Sequence, residues 1–541
     1  MPPFQEAKDI YNNRLLKSIE EVDKYFPGGH KPLPDTIPSN VRPLLKLLND
    51  DDYEVVTLGG IELLDKLAKG EWSAVRVTGA YIRAAVLAHK LVNCATEFLA
   101  ERAYNRAKFL DEHLAEKGPV GPFHGLPFSV KELLGVKGHI STCENSFFLD
   151  SEPMEKDLVL IQELENQGGT IFVRTNGPQL CGTIDSYSPV HGSTLNPYNT
   201  SLTTGGSSSG EGALAAFGAS IIGLGTDIGG SIRAPASFCG IYGLKPTRGR
   251  LSLLNCVGSN PGNDFIKAVV GPMSRDLRLI DLFMENIIKQ KPWKDDVSLE
   301  AVPWEVVSSI KPKKLTLGYT TFDGVVHPHP PIVQAVEELV KKYDGKTVDG
   351  VELTFQKYTP PIPADMIQML IGMFMPDAGE RTQKWAEKFG EPLEDPGPEV
   401  KALAKKLEIS DVFALNVQRD KYRQTVWDDW KKQGIDALVY PVYISPSSVL
   451  RTTNYGLYTM LWNVVDYPGV TLPLTKMDAK KDYGPVAEPA NDMDKKFLAM
   501  YEPEKFDNAP IGVQIVGPRF EEPLILKVAQ LLQGTVQPLA E

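Results

Sequence analysis

Hydrophobic positions recur at helical spacing over the first part of the chain and change to short β-type runs from about residue 126. Val77, Ala80, Tyr81, Ala84, Ala85 and Ala88 fall three and four residues apart behind Ser73, a helix cap. Ala103, Leu110 and Leu114 mark a second helical run. Beyond Leu126, apolar runs at 128–130, 170–173, 221–224, 315–317, 437–440, 470–472 and 513–516 alternate with longer helical stretches. Strands alternating with helices predict a largely parallel sheet covered on both faces, an α/β fold. Polar segments near 290–312, 376–400 and 476–508 interrupt the pattern, the last reading as a surface excursion. None is biased enough to be a flexible linker, and no repeat occurs. The expected organisation is one domain over 1–541, with 1–118 a helical N-terminal preface and 119–541 the α/β catalytic core.

Composition narrows the partners. The chain carries 57 basic against 69 acidic residues, a net charge of -12, and no basic stripe, which argues against a nucleic-acid partner. No stretch reaches the roughly 20 apolar residues of a membrane span. Residues 1–7 show neither an apolar core nor a cleavage site, and 538–541 carry no retention or peroxisomal address, so the expectation is a cytoplasmic protein. The five cysteines (Cys94, Cys143, Cys181, Cys239, Cys256) are odd in number and widely spaced, as for reduced thiols. The histidines form no metal-ligand spacing with acids or cysteines. Neither a metal nor an organic cofactor is expected, and the oligomeric state is open, a homodimer included.

Three short segments carry the chemistry. Lys131 ends the run Pro127-Phe128-Ser129-Val130-Lys131. Ser207 lies in Gly205-Gly206-Ser207-Ser208-Ser209-Gly210-Glu211-Gly212-Ala213, a glycine-rich turn before a helix start. Ser231 follows two glycines in Gly225-Thr226-Asp227-Ile228-Gly229-Gly230-Ser231-Ile232-Arg233. A serine is a weak nucleophile without a base in reach, and lysine can be that base only when neutral, a state that burial favours. Successive N–H groups from Ile228 to Ser231 can converge on one oxygen, as an oxyanion hole requires. Asp227 and Arg233 suggest a buried ion pair bracing the turn. Each piece alone has a plainer reading: a capped turn, or a surface lysine.

Other chemistries fit less well. Gly206-Ser207-Ser208-Ser209-Gly210 satisfies G-x-S-x-G with Ser208 as nucleophile, but that fold needs a downstream acid and histidine. Only His327 and His329 lie downstream, in a proline-rich run. Residues 223–229 hold one residue too many for G-x-G-x-x-G, and no phosphate-binding P-loop occurs.

The combination resembles the amidase signature family. The resemblance spans about 61–517 and includes 122–127, the two serine motifs, 242–247, 466–470 and 510–517. Trp293-Lys294, Pro303-Trp304 and 322–331 are most similar to fungal acetamidase-like members. The resemblance implies a large twisted mixed sheet enclosed by helices and no cofactor. It implies Ser231 as acyl-enzyme nucleophile, Ser207 behind a cis peptide bond as proton relay, and Lys131 as base. Ile228, Gly229, Gly230 and Ser231 would supply oxyanion N–H groups, with Thr226, Asp227 and Arg233 in support. The stretch 179–185 would line the acyl pocket with Cys181 nearest the substrate, although a small buried filler reads as well there. Tyr455, Tyr458 and Trp462 fit an aromatic wall or plain core. Where the family usually has glycine, this chain has Ser209, a side chain expected to narrow the loop or to demand a different backbone angle. The activity implied is hydrolysis of a small-molecule carboxylic amide. An amidotransferase-type glutaminase subunit, a fatty acid amide hydrolase-like enzyme and a non-catalytic scaffold are the alternatives.

Overall fold

The computed structural model describes residues 4–149 and 151–535; residues 1–3 and 538–541, on which the reading of the chain's ends partly rests, lie outside them. Twelve strands form one sheet. They are β1 (Ala95–Phe98), β2 (Pro127–Lys131), β3 (Thr170–Thr175), β4 (Ile222–Asp227), β5 (Tyr242–Lys245), β6 (Val269–Ser274), β7 (Lys314–Tyr319), β8 (Lys346–Val348), β9 (Val351–Lys357), β10 (Ala437–Pro441), β11 (Gly469–Lys476) and β12 (Pro510–Val516). Their spatial order is β1-β3-β2-β4-β6-β5-β11-β12-β10-β7-β9-β8.

All seven apolar runs read from the sequence are strands of this sheet. The expected parallel arrangement is corrected. Only β3-β2-β4 and β10-β7-β9 run parallel, and every other neighbouring pair is antiparallel. The reversal at the centre comes from β5 and β6, which the hydrophobic pattern does not reveal. Val269-Val270-Gly271-Pro272 contains the two residues that normally argue against an inner strand. Gly271 is required there, because a Cβ at this position would lie 2.1 Å from the Leu244 carbonyl oxygen.

The preface is also more than helical. Ser73 caps the helix Ala74–Val92 by accepting from the Arg76 N–H at 3.1 Å. Asn93 then ends it at φ 53°, and the chain enters β1, an edge strand of the sheet. One apolar core includes residues of the preface and of both halves of the sheet. A second gathers Met366, Met369, Leu370 and Met373 with Tyr455, Tyr458 and Trp462. The polar 376–400 region is not a simple loop. It contains the helix Glu380–Phe389 and the start of Pro398–Leu403, and follows the apolar helix Met366–Phe374.

Candidate active site

Lys131 ends β2 and Thr226 lies near the end of β4, and these strands are parallel neighbours. Alternation along β2 sends Ser129 and Lys131 to the same face, toward the helix Ser209–Phe217 and the turn before it. Ser129 Oγ donates to Glu211 Oε2 on that helix at 2.6 Å. Lys131 Nζ donates to Ser207 Oγ at 2.7 Å and to Thr226 Oγ1 at 3.0 Å. Lys131 is 1% exposed and joins no ion pair among the described residues, where a buried ammonium would normally need one. Gly177 permits this approach, since a Cβ there would lie 2.5 Å from the Ser207 carbonyl oxygen.

The Gly206–Ser207 peptide bond is cis. Ser208 is committed elsewhere. Its N–H donates to the Ser231 carbonyl at 3.1 Å, and its hydroxyl accepts from the Thr226 N–H at 3.2 Å. Ser208 thus clips the two serine motifs together. His327 pairs with Asp494 at 2.6 Å and stacks on Phe322, while His329 bonds the Phe497 carbonyl. Neither reaches Ser208, so the G-x-S-x-G alternative lacks its base. Ser209 begins the helix without a positive φ, and its buried hydroxyl has no hydrogen-bond partner among the described residues.

Asp227 organises the second motif. Its Oδ1 accepts from the Gly230 N–H (2.8 Å), Arg233 (3.0 Å) and Asn463 (2.9 Å). Its Oδ2 accepts from the Ile232 N–H (3.1 Å) and Arg233 Nε (3.0 Å). Burial alone would raise this carboxyl, but the Arg233 charge and these donors outweigh it and hold Asp227 well below the ordinary aspartate range. Arg233, fully buried, also donates to Asn463 and to Gln514 of β12. Gly230 therefore departs from the expectation, because its N–H is satisfied by Asp227. The N–H groups of Ile228, Gly229 and Ser231 have no acceptor among the described residues. Thr459 Oγ1 donates to the Gly229 carbonyl at 2.7 Å and turns it away. Gly230 sits at φ 128°, and a Cβ there would meet Thr459 Oγ1 at 2.3 Å. Thr459 and Asn463 escape the sequence reading, as they lie some 230 residues from the motif they hold.

Cys181 is part-buried in a turn where Leu180 and Cys181 both take positive φ (57° and 52°). Burial pushes its thiol up to about 11, against the opposing influence of Lys131 and a hydrogen bond with Ser207. Over Gly229 stand Met460 and Phe374, each near 3.3–3.4 Å from the position of an added Cβ. Tyr455, Tyr458 and Trp462 resolve as core. Tyr455 bonds Asp323, and Tyr458 bonds the Val326 carbonyl.

The described residues form no cluster of three or more His, Cys, Asp or Glu side chains able to hold a metal, and none of their helices is long and apolar enough to cross a membrane. The amidase family model matches residues 76–526. An acetamidase of Aspergillus oryzae is 34% identical over 90% of this chain and 90% of its own length. An acetamidase of Emericella nidulans is 32% identical over 91% and 92%. Among solved structures, a fatty acid amide hydrolase superposes with a TM-score of 0.85 at 29% identity, covering 98% of this chain and 97% of that one.

Proposed function

The chain belongs to the amidase family, whose members hydrolyse amide C–N bonds, and from this premise we propose that it does so through a Ser231 acyl-enzyme. The observation that carries the proposal is the buried 2.7 Å hydrogen bond between Lys131 Nζ and Ser207 Oγ, with no carboxylate bonded to the lysine among the described residues.

Neutral Lys131 takes the Ser207 proton as Ser207 takes that of Ser231, and Ser231 Oγ attacks the amide carbonyl carbon. The N–H groups of Ile228, Gly229 and Ser231 receive the oxyanion, each donor worth about 3–4 kcal/mol in hydrolases. Thr226 shares Lys131 with Ser207 and aims the amine, while Asp227 and Arg233 hold the loop that presents these N–H groups. The tetrahedral intermediate collapses, the C–N bond breaks, and Ser207 passes its proton to the leaving nitrogen as the Lys131 ammonium returns one to Ser207 and becomes neutral again. Water then attacks the Ser231 ester, its proton passing by the same route, and frees the carboxylate. The relatives named for acetamide and fatty amides support a carboxylic amide as substrate.

A fluorophosphonate probe tests this reading. It labels Ser231, and the purified chain alone releases ammonia from a simple primary amide. A label mapped to Ser208 overturns the assignment. Ammonia released only from glutamine, and only with added partner proteins, supports a glutaminase subunit instead.

A further inference from the structure

The segment from Met366 to about residue 408 forms a cap that reaches the serine motifs at Gly229. Its apolar underside makes two contacts with the catalytic side. Phe374 stands over Gly229. The helix Glu380–Phe389 packs through Trp385 and Phe389 on Phe147, with Leu180 in the same cluster. Apolar packing of this kind is not directional, so it leaves the position of the cap loosely defined.

Polar ties supply direction: Asn263 Nδ2 donates to the Met373 carbonyl at 2.8 Å and Arg381 to the Ser259 carbonyl at 3.0 Å, and a buried carboxylate reaches the Gln179 turn. Glu391, just beyond the helix, is 3% exposed although it lies in one of the most polar stretches of the chain. Its Oε2 accepts from the Ser146 N–H at 2.6 Å and from the Ser146 hydroxyl. Its Oε1 accepts from Gln179 Nε2 at 2.6 Å. Gln179 binds the same segment twice more. Its Nε2 reaches the Pro392 carbonyl at 3.0 Å, and its Oε1 accepts from the Glu394 N–H at 3.2 Å. Gln179 opens the strained turn that carries Leu180 and Cys181, and the Leu180 N–H is tied back to the Cys143 carbonyl at 2.9 Å.

Resting on the catalytic reading above, we propose that Glu391 is a positioning residue for amide hydrolysis: its carboxylate latches the cap onto Ser146 and Gln179 and so fixes the Leu180–Cys181 wall against which the substrate's acyl group packs. Glu391 touches neither Lys131 nor the serines, and acts only through Gln179 and Ser146. A carboxylate suits the place because all three donors point at it and both oxygens can accept. An amide side chain of the same shape would turn an NH2 group toward one of those donors. A substrate with a minimal acyl group barely uses this wall, whereas a longer apolar acyl group depends on it.

The test compares wild type with Glu391→Gln, Gln179→Ala and the double variant on primary amides of graded acyl length, beginning with acetamide. In Glu391→Gln the KM of the longest acyl amides rises by about tenfold, as for loss of a hydrogen bond to a charged group. Acetamide turnover and the rate of fluorophosphonate labelling at Ser231 stay within about twofold. The double variant is no worse than the worse single one, because the two residues act as one unit. A loss that is uniform across acyl lengths, additive effects, or no change in KM overturns the latch. If Glu391→Gln does not fold, Ser146→Ala carries the same comparison, since it removes one donor and leaves the backbone N–H. A wild-type enzyme that fails to label at Ser231 defeats the catalytic reading instead, whatever the acyl-length profile.

Discussion

The floor of the site and the cap above it are built on opposite principles. In the floor, residues 205–233 with Lys131 are nearly all buried, and polar groups hold one another at fixed distances. Asp227 alone collects five donors at 3.1 Å or less, from Gly230, Ile232, Arg233 and Asn463. The cap is half-exposed along much of its length and shows Leu403 to solvent, and the helix Ile409–Gln433 that follows it exposes Ile409, Phe413 and Val417. The cap meets the site through a few apolar side chains, the Glu391 carboxylate and the Gln179 bonds to the Pro392 carbonyl and the Glu394 N–H. A reaction that needs a serine, an amine and N–H donors in register requires the first kind of construction. Recognition of an apolar acyl group tolerates the second, since packing area matters there more than angle. If the proposed site and latch hold, substitutions in the floor should alter the chemistry and substitutions in the cap the choice of acyl group.

The largest effect expected is in the floor. Ser207→Ala lowers amide kcat/KM by about 10²–10⁴-fold, the usual loss of general acid–base help. A p-nitrophenyl ester with the same acyl group suffers far less, because its leaving group departs as an anion. Amide turnover that survives Ser207→Ala would mean that Lys131 acts on Ser231 directly.

Next comes the brace. Asp227→Asn leaves the Arg233 charge buried and uncompensated, and costs about 3–5 kcal/mol in denaturant unfolding at neutral pH. The Asp227 carboxyl lies below its ordinary range in the folded protein, so its stabilisation is full above about pH 4, the unfolded value. It is lost as pH falls through the lower, folded value. Unfolding curves of wild type and Asp227→Asn should therefore draw together in acid. A constant gap across pH would show that the ion pair is not the source.

The smallest effect belongs to the cap. Phe374→Ala removes a ring from above Gly229 but no donor from the reaction. KM for long acyl amides rises a few-fold, while the rate of Ser231 labelling hardly moves. An equal fall in both would show that the cap also shapes the oxyanion loop, and the two regions would then be less separable than they look.

The amidase family and much of the scaffold were legible in the sequence alone. Seven strands were legible because their buried stretches are mostly apolar, bounded by turn residues and alternating with helical runs. The lysine and the two serine motifs were legible because glycine-rich turns beside hydroxyls leave a local signature. That legibility stops at what is local along the chain. The antiparallel centre of the sheet was hidden because β5 and β6 carry glycine, proline and lysine where a pattern search expects alternation. Only the tertiary structure brings Thr459 to the Gly229 carbonyl, Asn463 and Gln514 to Arg233, and Glu391 to Gln179. Those partners lie about 210–280 residues apart, and a hydrogen bond across such a gap leaves no trace in spacing or periodicity. It also decided that Asp227 takes the Gly230 N–H while those of Ile228, Gly229 and Ser231 find no acceptor among the described residues, since a backbone amide has the same letter in the sequence whichever way it points.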